Sequence, residues 1–247
     1  MMGKLSLRSF VCGIGAFLLL WALAAHLLAM PVVPPPSEVF ARLAEKFTGV
    51  IAVHARYSLM RIALGLSLAV AVGYPIGILM GYFPRVNRIL APMLYLAYPV
   101  PKIALLPVVM LIFGVGESGK ILLIFLIIVF QVVVAVRDAT AGIPAATYEP
   151  LRVLGASFWQ MVRHIVLPAS LPKFITAVRI AMATAISVLF FTETFGTKYG
   201  IGYYIMDAWL RVNYLDMYAG IAVLSAIGLL LFALLDAAEH VLCRWKN

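Results

Sequence analysis

Charge is scarce along this chain of 247 residues. Asp, Glu, Lys and Arg make up 12% of it, and acid is scarcer than base, ten residues against nineteen. A soluble domain carries about 25% charged residues, so a water-filling globule is a poor reading of this composition. Cysteine is nearly missing: only Cys12 and Cys243 are present, and no metal spacing exists between them. The four histidines, His26, His54, His164 and His240, include no pair spaced as metal ligands. Neither G-x-S-x-G nor H-E-x-x-H occurs. A membrane enzyme would need a catalytic cluster, and this chain offers none.

What is present is apolar. Hydrophobic residues make up 64% of the sequence, and the mean hydropathy is +1.06. Apolar runs recur at close to the ~20 residues that cross a bilayer as a helix. Backbone groups in lipid must bond internally, so spans are helices or a closed barrel. The runs are continuous rather than alternating, which excludes a barrel. The expected fold is an all-α integral membrane protein with about six transmembrane helices, in one domain over residues 1–247. The spans fall near 10–30, 57–82, 89–113, 119–136, 174–195 and 217–240. Lys4 and Arg8 before the first run resemble a signal peptide. The run to Met30 exceeds a signal core of about 7–15 residues, so it reads as an uncleaved first span.

The net charge of +9 does not point to nucleic acid, because the basic residues are scattered at span ends. Lys4, Arg8, Arg85, Arg88, Arg137, Arg152, Arg163, Lys173, Arg244 and Lys246 fall on one side. Arg42, Lys46, Arg56, Lys120, Lys198 and Arg211 fall on the other, ten against six. Cytoplasmic loops carry the excess, which puts both termini and the polar loop 137–173 inside. Both cysteines then lie near the cytoplasmic face, where thiols stay reduced.

Several segments stand out. Ser37 to Phe47 is amphipathic and reads as a surface helix, capped by the Pro34–Pro36 run. Gly73, Gly77 and Gly81 are four apart, so they share one helix face and allow close packing. The third span contains Pro99, Pro101, Lys102 and Pro107. Each interior proline removes a backbone bond, and broken helices at membrane depth line cavities or are buried in protein. Pro99, Pro101 and Lys102 are therefore candidates for a translocation path; the alternative is a kinked packing helix whose Lys102 snorkels. Gly114–Lys120 partly matches phosphate-loop patterns, but Ile121 stands where Ser or Thr must hold magnesium. It also joins two spans rather than a strand and a helix. It reads as a glycine turn, so the chain has no ATPase of its own.

Ionisable residues within spans are functional candidates. Arg61 and Glu193 fall near outer span ends and could pair, or each could sit in interfacial water. Arg179 is expected to snorkel inward, and Asp236 and Glu239 to be wetted.

The loop 137–173 is the most informative segment. Residues 145–154 are expected to form a short helix, with Thr147 as cap and Glu149 and Pro150 in its first turn. Gly155 ends it. Ser157-Phe-Trp-Gln160 is a capping box that starts a second helix. Phe158, Val162 and Ile165 share one face of it, and Trp159, Arg163 and His164 lie more to the other. Pro168 is expected to stop this helix. Exposed aromatics and Arg on such a knob are the residue types that anchor protein interfaces.

This segment resembles the cytoplasmic signature loop of binding-protein-dependent ABC transporter permeases, E-A-A-x-x-x-G followed by I-x-L-P. Glu149, Gly155, Ile165, Leu167 and Pro168 sit at that spacing, while Pro150 and Leu151 replace the two alanines. The likeness extends over most of the chain. Ser58 to Arg61 with Gly65, the Pro99–Pro107 run, Phe113-Gly114, Glu193 and Gly200-Ile-Gly202 are similar to the nitrate, sulfonate, taurine and bicarbonate branch.

The resemblance implies a type I importer for a small solute, best matched by a small anion such as a sulfonate, nitrate or bicarbonate. Two copies of the permease would form the path. Two separate ATPase subunits, carrying ATP and Mg, would grip the knob through Glu149, Arg152, Gly155, Ala156, Ser157, Phe158, Trp159, Ile165, Leu167 and Pro168. A solute-binding protein would dock outside, near 196–216. The chain itself would be no enzyme and bind no cofactor, and it would sit in a bacterial inner membrane. The competing reading is a secondary transporter or channel that works without an ATPase.

Overall fold

A computed structural model describes residues 7–246; Lys4 lies outside them. Among the described residues all regular structure is helical. Five helices are long and apolar enough to cross a membrane, or six if one bent pair counts as a span. The helices are α1 (Leu7–Leu28), α2 (Pro36–Lys46), α3 (Ala52–Tyr82), α4 (Pro84–Ala97), α5 (Leu106–Phe113) and α6 (Glu117–Ala141). They continue with α7 (Ala145–Val153), α8 (Phe158–Met161), α9 (Leu167–Glu193), α10 (Ile201–Leu210) and α11 (Tyr214–Leu242). The chain forms two compact units. The first takes residues up to Arg61 with Leu189–Asp236, and the second takes Ile62–Val188 with Ala237 onward.

In the first unit, α2 is the expected amphipathic helix, with Pro36 at its first position, where the missing N–H costs nothing. It is not a separate element. A wide turn over Phe47–Ile51 carries it directly into α3. Val39 and Ile51 are buried with Ile201, Tyr204, Ile205, Ala219 and Val223 in one apolar cluster. Lys46 Nζ meets Asp216 Oδ2 at 2.6 Å, which ties the end of α2 to the start of α11. Burial and the nearby Asp216 carboxylate push the Tyr204 phenol above its ordinary value. The helix α10, inside the 196–216 stretch, was not among the sequence expectations.

In the second unit, the glycine face of α3 does what its spacing requires. A Cβ on Gly65, Gly73, Gly77 or Gly81 would come within 3.0 Å of Ile124, Val132, Val136 or Thr140 of α6. The partner residues Val132, Val136 and Thr140 are themselves four apart, so two regular stripes interlock. The proline-rich third span is broken, as expected: α4 and the Lys102–Phe113 helical stretch meet at 80°. In the Gly114–Lys120 turn, Gly114 has φ +76. Lys120 is 2% exposed and donates to the carbonyls of Val115 at 2.6 Å and Gly116 at 3.3 Å. The lysine that mimics a phosphate ligand is folded back onto its own loop.

Two details of the loop expectation are corrected. Thr147 is not the cap: Pro144 precedes the first residue of α7, and the Thr147 N–H donates to the Pro144 carbonyl at 3.0 Å. Glu149 and Pro150 therefore lie beyond the first turn. Pro168 does not stop the second helix either. A wide turn over Val162–Val166 links α8 to α9, and the helical path runs from Phe158 to Glu193. The wide turn opens the ladder at His164, whose carbonyl would otherwise look to the proline nitrogen for a donor it lacks.

Candidate coupling surface and buried ion pair

The knob of the second unit is built from local signals. Gly155 sits at φ +71, in the left-handed region where side chains are penalised. Its N–H donates to the Arg152 carbonyl at 2.9 Å, and the Ala156 N–H donates to the Leu151 carbonyl at 2.9 Å. These are the two bonds of a Schellman closure. Two residues on, the Ser157 N–H donates to Gln160 Oε1 at 2.7 Å and the Gln160 N–H to Ser157 Oγ at 3.4 Å. This is the reciprocal capping box that the sequence specified.

The knob has an anchored side and an open side. Tyr148 is buried and meets Tyr82 edge-on at 5.8 Å, while Phe158 meets Tyr82 at 5.1 Å and Phe83 at 5.2 Å. Burial pushes the Tyr148 phenol above its ordinary value, with the nearby Arg152 opposing the shift. Val162 and Ile165 are buried and Phe158 is half-buried, whereas Trp159, Arg163 and His164 are exposed. The face assignment from the sequence holds residue by residue. On the open side, Val153 is 87% exposed, Leu154 79% and Trp159 76%. Glu149, Arg152 and Ser157 are exposed beside them, Ala156 and Pro168 are half-buried, and Leu167 is 38% exposed. Large apolar side chains held exposed by a fixed turn are the residue types that anchor protein interfaces.

The first unit contains a different construction. Arg61 Nη1 and Glu193 Oε1 meet at 2.6 Å, and both side chains are wholly out of solvent. Arg61 also donates to the Tyr199 carbonyl at 2.8 Å and to Thr197 Oγ1 at 3.3 Å. Glu193 accepts from Ser58 Oγ at 2.8 and 2.9 Å and from the Gly202 N–H at 2.8 Å. The Ile201 N–H donates to Ser58 Oγ at 2.9 Å, so the first amides of α10 are satisfied by α3 and α9 side chains. An acid at a helix N-terminus also complements its dipole. Gly200 has φ +136, and a Cβ there would strike the Glu193 carboxyl. Gly202 likewise leaves no room, with the Phe190 carbonyl oxygen 2.6 Å from its would-be Cβ. His54 Nδ1 lies 3.1 Å from both the Gly200 carbonyl oxygen and its nitrogen. The sequence pointed to Ser58, Gly200 and Gly202 only through resemblance, and to Arg61 and Glu193 also as ionisable residues near span ends that could pair. His54 and Thr197 were missed, since neither spacing nor periodicity marks them.

The remaining candidates make other contacts. Lys102, in the second unit, donates to the carbonyls of Ala97 at 2.7 Å and Tyr98 at 2.6 Å, and its ammonium lies 4.8 Å from the Phe130 ring centroid. It closes the end of α4 at the break. Pro99 and Pro101 are exposed there. Arg179 and Glu239, expected in contact with water, pair at 2.8 Å and are mostly buried. Cys12 is exposed and Cys243 buried, both as free thiols.

The sequence pattern of the family described as "binding-protein-dependent transport system inner membrane component" matches residues 73–245. The chain is 33% identical to the taurine transport system permease protein of Escherichia coli (strain K12), over 92% of this chain and 85% of the relative. It is 33% identical to a putative aliphatic sulfonates transport permease protein of Bacillus subtilis (strain 168), over 87% of this chain and 79% of the relative. A chain of the MetNI methionine ABC transporter, solved in an inward-facing conformation, shares the fold. Its TM-score is 0.68 at 20% identity, covering 78% of this chain and 95% of that one. On the residues matched and the fold shared, the chain belongs to the inner membrane components of binding-protein-dependent transport systems, as a permease subunit of an ABC importer.

Proposed function

We propose that this chain is the path-forming subunit of an ATP-driven importer for a small anion, with sulfonates the favoured class. It works as a homodimer in the bacterial cytoplasmic membrane, with both termini inside and residues 1–247 acting as one permease domain. Two separate ATPase subunits carry ATP and Mg and grip the knob at Glu149, Arg152, Gly155–Trp159, Ile165, Leu167 and Pro168. A solute-binding protein meets the outer side near 196–216. Closure of the ATPase pair drives the knobs together and shifts the permease between two access states, a two-state change biased by binding free energy. The broken span at Pro99, Pro101 and Lys102 lines the path. Arg61 and Glu193 are further candidates for the path.

The observation that carries this reading is the Gly155 closure, which holds Val153, Leu154 and Trp159 exposed on a turn fixed by two backbone bonds. Sulfonate is favoured because the taurine and sulfonate permeases are each 33% identical to this chain over the aligned residues. The test is co-purification of an ATPase subunit with the tagged chain. Trp159→Ala and Gly155→Asp are expected to lose the ATPase while the permease stays folded. Capture that survives both substitutions removes the coupling assignment.

A further inference from the structure

Beside the break in the third span, the second unit holds a cavity of about 830 Å³ lined by Asn87, Arg88, Tyr95, Tyr98, Pro99 and Arg137, among others. Sequence reasoning used Arg88 and Arg137 only to orient the chain. The structure puts both guanidinium-bearing side chains on one concavity. Arg137 gives Nε and Nη2 to Asp138 Oδ1, each at 2.8 Å. A guanidinium has five N–H donors, so that pair leaves three free of Asp138. Arg88 is exposed and, among the described residues, makes no ion pair. The lining residues therefore include two arginines and no carboxylate; Asp138, the partner of Arg137, is not among them and is itself 59% exposed at the side chain.

We propose that this cavity is an oxyanion site: Arg88 and Arg137 hold the sulfonate, carboxylate or phosphate-like head of a small molecule, and Tyr95, Tyr98 and Pro99 pack against its apolar part. Guanidinium forks match such oxyanions bidentately, with charge-assisted bonds stronger than neutral ones. The volume lies within the range of small-molecule sites, about 300–1,000 Å³. It exceeds what a small anion needs, so the site is a wet vestibule rather than a fitted pocket. A permease has use for that, because a solute in transit must leave as readily as it arrives. The proposal rests on the importer reading for its role in transport, but not for the binding itself. The same chemistry could be supplied by the phosphate of an anionic lipid.

The test uses the purified chain, with whatever subunits accompany it, in phosphatidylcholine nanodiscs, and methanesulfonate as probe. Millimolar methanesulfonate is expected to raise the unfolding temperature of the wild type. Arg88→Gln and Arg137→Gln are expected to weaken apparent affinity about tenfold or more each, the loss of one charge-assisted contact. Arg88→Lys retains most of the response. Arg85→Gln, on the same helix but outside the lining, behaves as wild type. If methanesulfonate has no effect and phosphatidylglycerol stabilises the wild type but not Arg88→Gln, the oxyanion site stands with lipid as its occupant. A wild-type response that Arg88→Gln and Arg137→Gln both keep overturns the site. So does the absence of any response to either probe. Sulfonate uptake by a reconstituted transporter that proceeds unchanged in both Gln variants would overturn the site's role in transport and leave the importer reading intact. A chain that binds methanesulfonate but captures no ATPase would do the reverse.

Discussion

Arg61 and Glu193 meet at 2.6 Å with neither side chain exposed to solvent, although 132 residues separate them in sequence. Ser58, Thr197, Tyr199 and Gly202, which bond to the pair, all belong to the first unit. A buried pair is not by itself a source of stability, since desolvation offsets attraction. Removing one partner is a different matter, because it strands a charge.

Glu193→Met is therefore expected to destabilise the chain by about 3–5 kcal/mol, the cost of one uncompensated buried charge. Arg61→Met should do the same. The double variant Arg61→Met with Glu193→Met is expected to recover more than half of the loss. Thermal unfolding of the four proteins in one detergent measures this cycle. Single variants as stable as the wild type would show that the pair holds nothing.

Gly200→Ala should release α10. The new methyl meets the Glu193 carboxyl and Arg61 Nη1, and φ +136 is itself unfavourable for alanine. Hydrogen exchange at Ile201 and Gly202, whose amides are held by Ser58 and Glu193, is expected to accelerate at least tenfold, equivalent to about 1.4 kcal/mol. Unchanged exchange there would mean that the turn has another way to relax.

At Gly155 the limit is the backbone, not space. Nothing lies within 4 Å of a Cβ built there, yet φ is +71. Gly155→Asn should therefore be tolerated, whereas Gly155→Val should cost about 1–2 kcal/mol and fray the knob. Limited proteolysis between residues 150 and 160 distinguishes the two variants. Equal cleavage in both would contradict the left-handed turn.

Gly77→Leu is expected to abolish folded yield. Even one methyl would sit 2.7 Å from the Val136 Cβ and 2.9 Å from the Val133 carbonyl oxygen. Gly77→Ala, which asks the two helices to part slightly, should lose about 1–3 kcal/mol as overpacking. Size-exclusion profiles and thermal unfolding of both variants report the outcome.

Much of this was legible in the sequence, and the reason differs by element. The spans follow from long apolar runs, the glycine face from four-residue spacing, and the Gly155 turn and Ser157 box from residue types with one favoured backbone role. Thr147 and Pro168 misled because cap and stop signals are local, while Pro144 and the wide turn at Val162–Val166 override them with equally local alternatives. The pairing of Arg61 with Glu193 was readable only as a possibility. Burial decides it, and burial depends on how Ser58, Thr197 and Gly202 gather from distant segments. Arg88 and Arg137 were read as loop charges for the same reason: no linear pattern says that two span ends share a concavity.

The interlocked stripes of α3 and α6 have a mechanical consequence. Gly65, Gly73, Gly77 and Gly81 leave no slack against Ile124, Val132, Val136 and Thr140, so these two stretches can slide past one another only by whole steps of the stripe. Tyr82, at the end of the same stretch of α3, is the ring on which Tyr148 and Phe158 rest. A load applied at Val153 or Trp159 thus reaches a stiff double beam rather than a single helix. Joint displacement of α3 and α6 is the response expected from so close a packing.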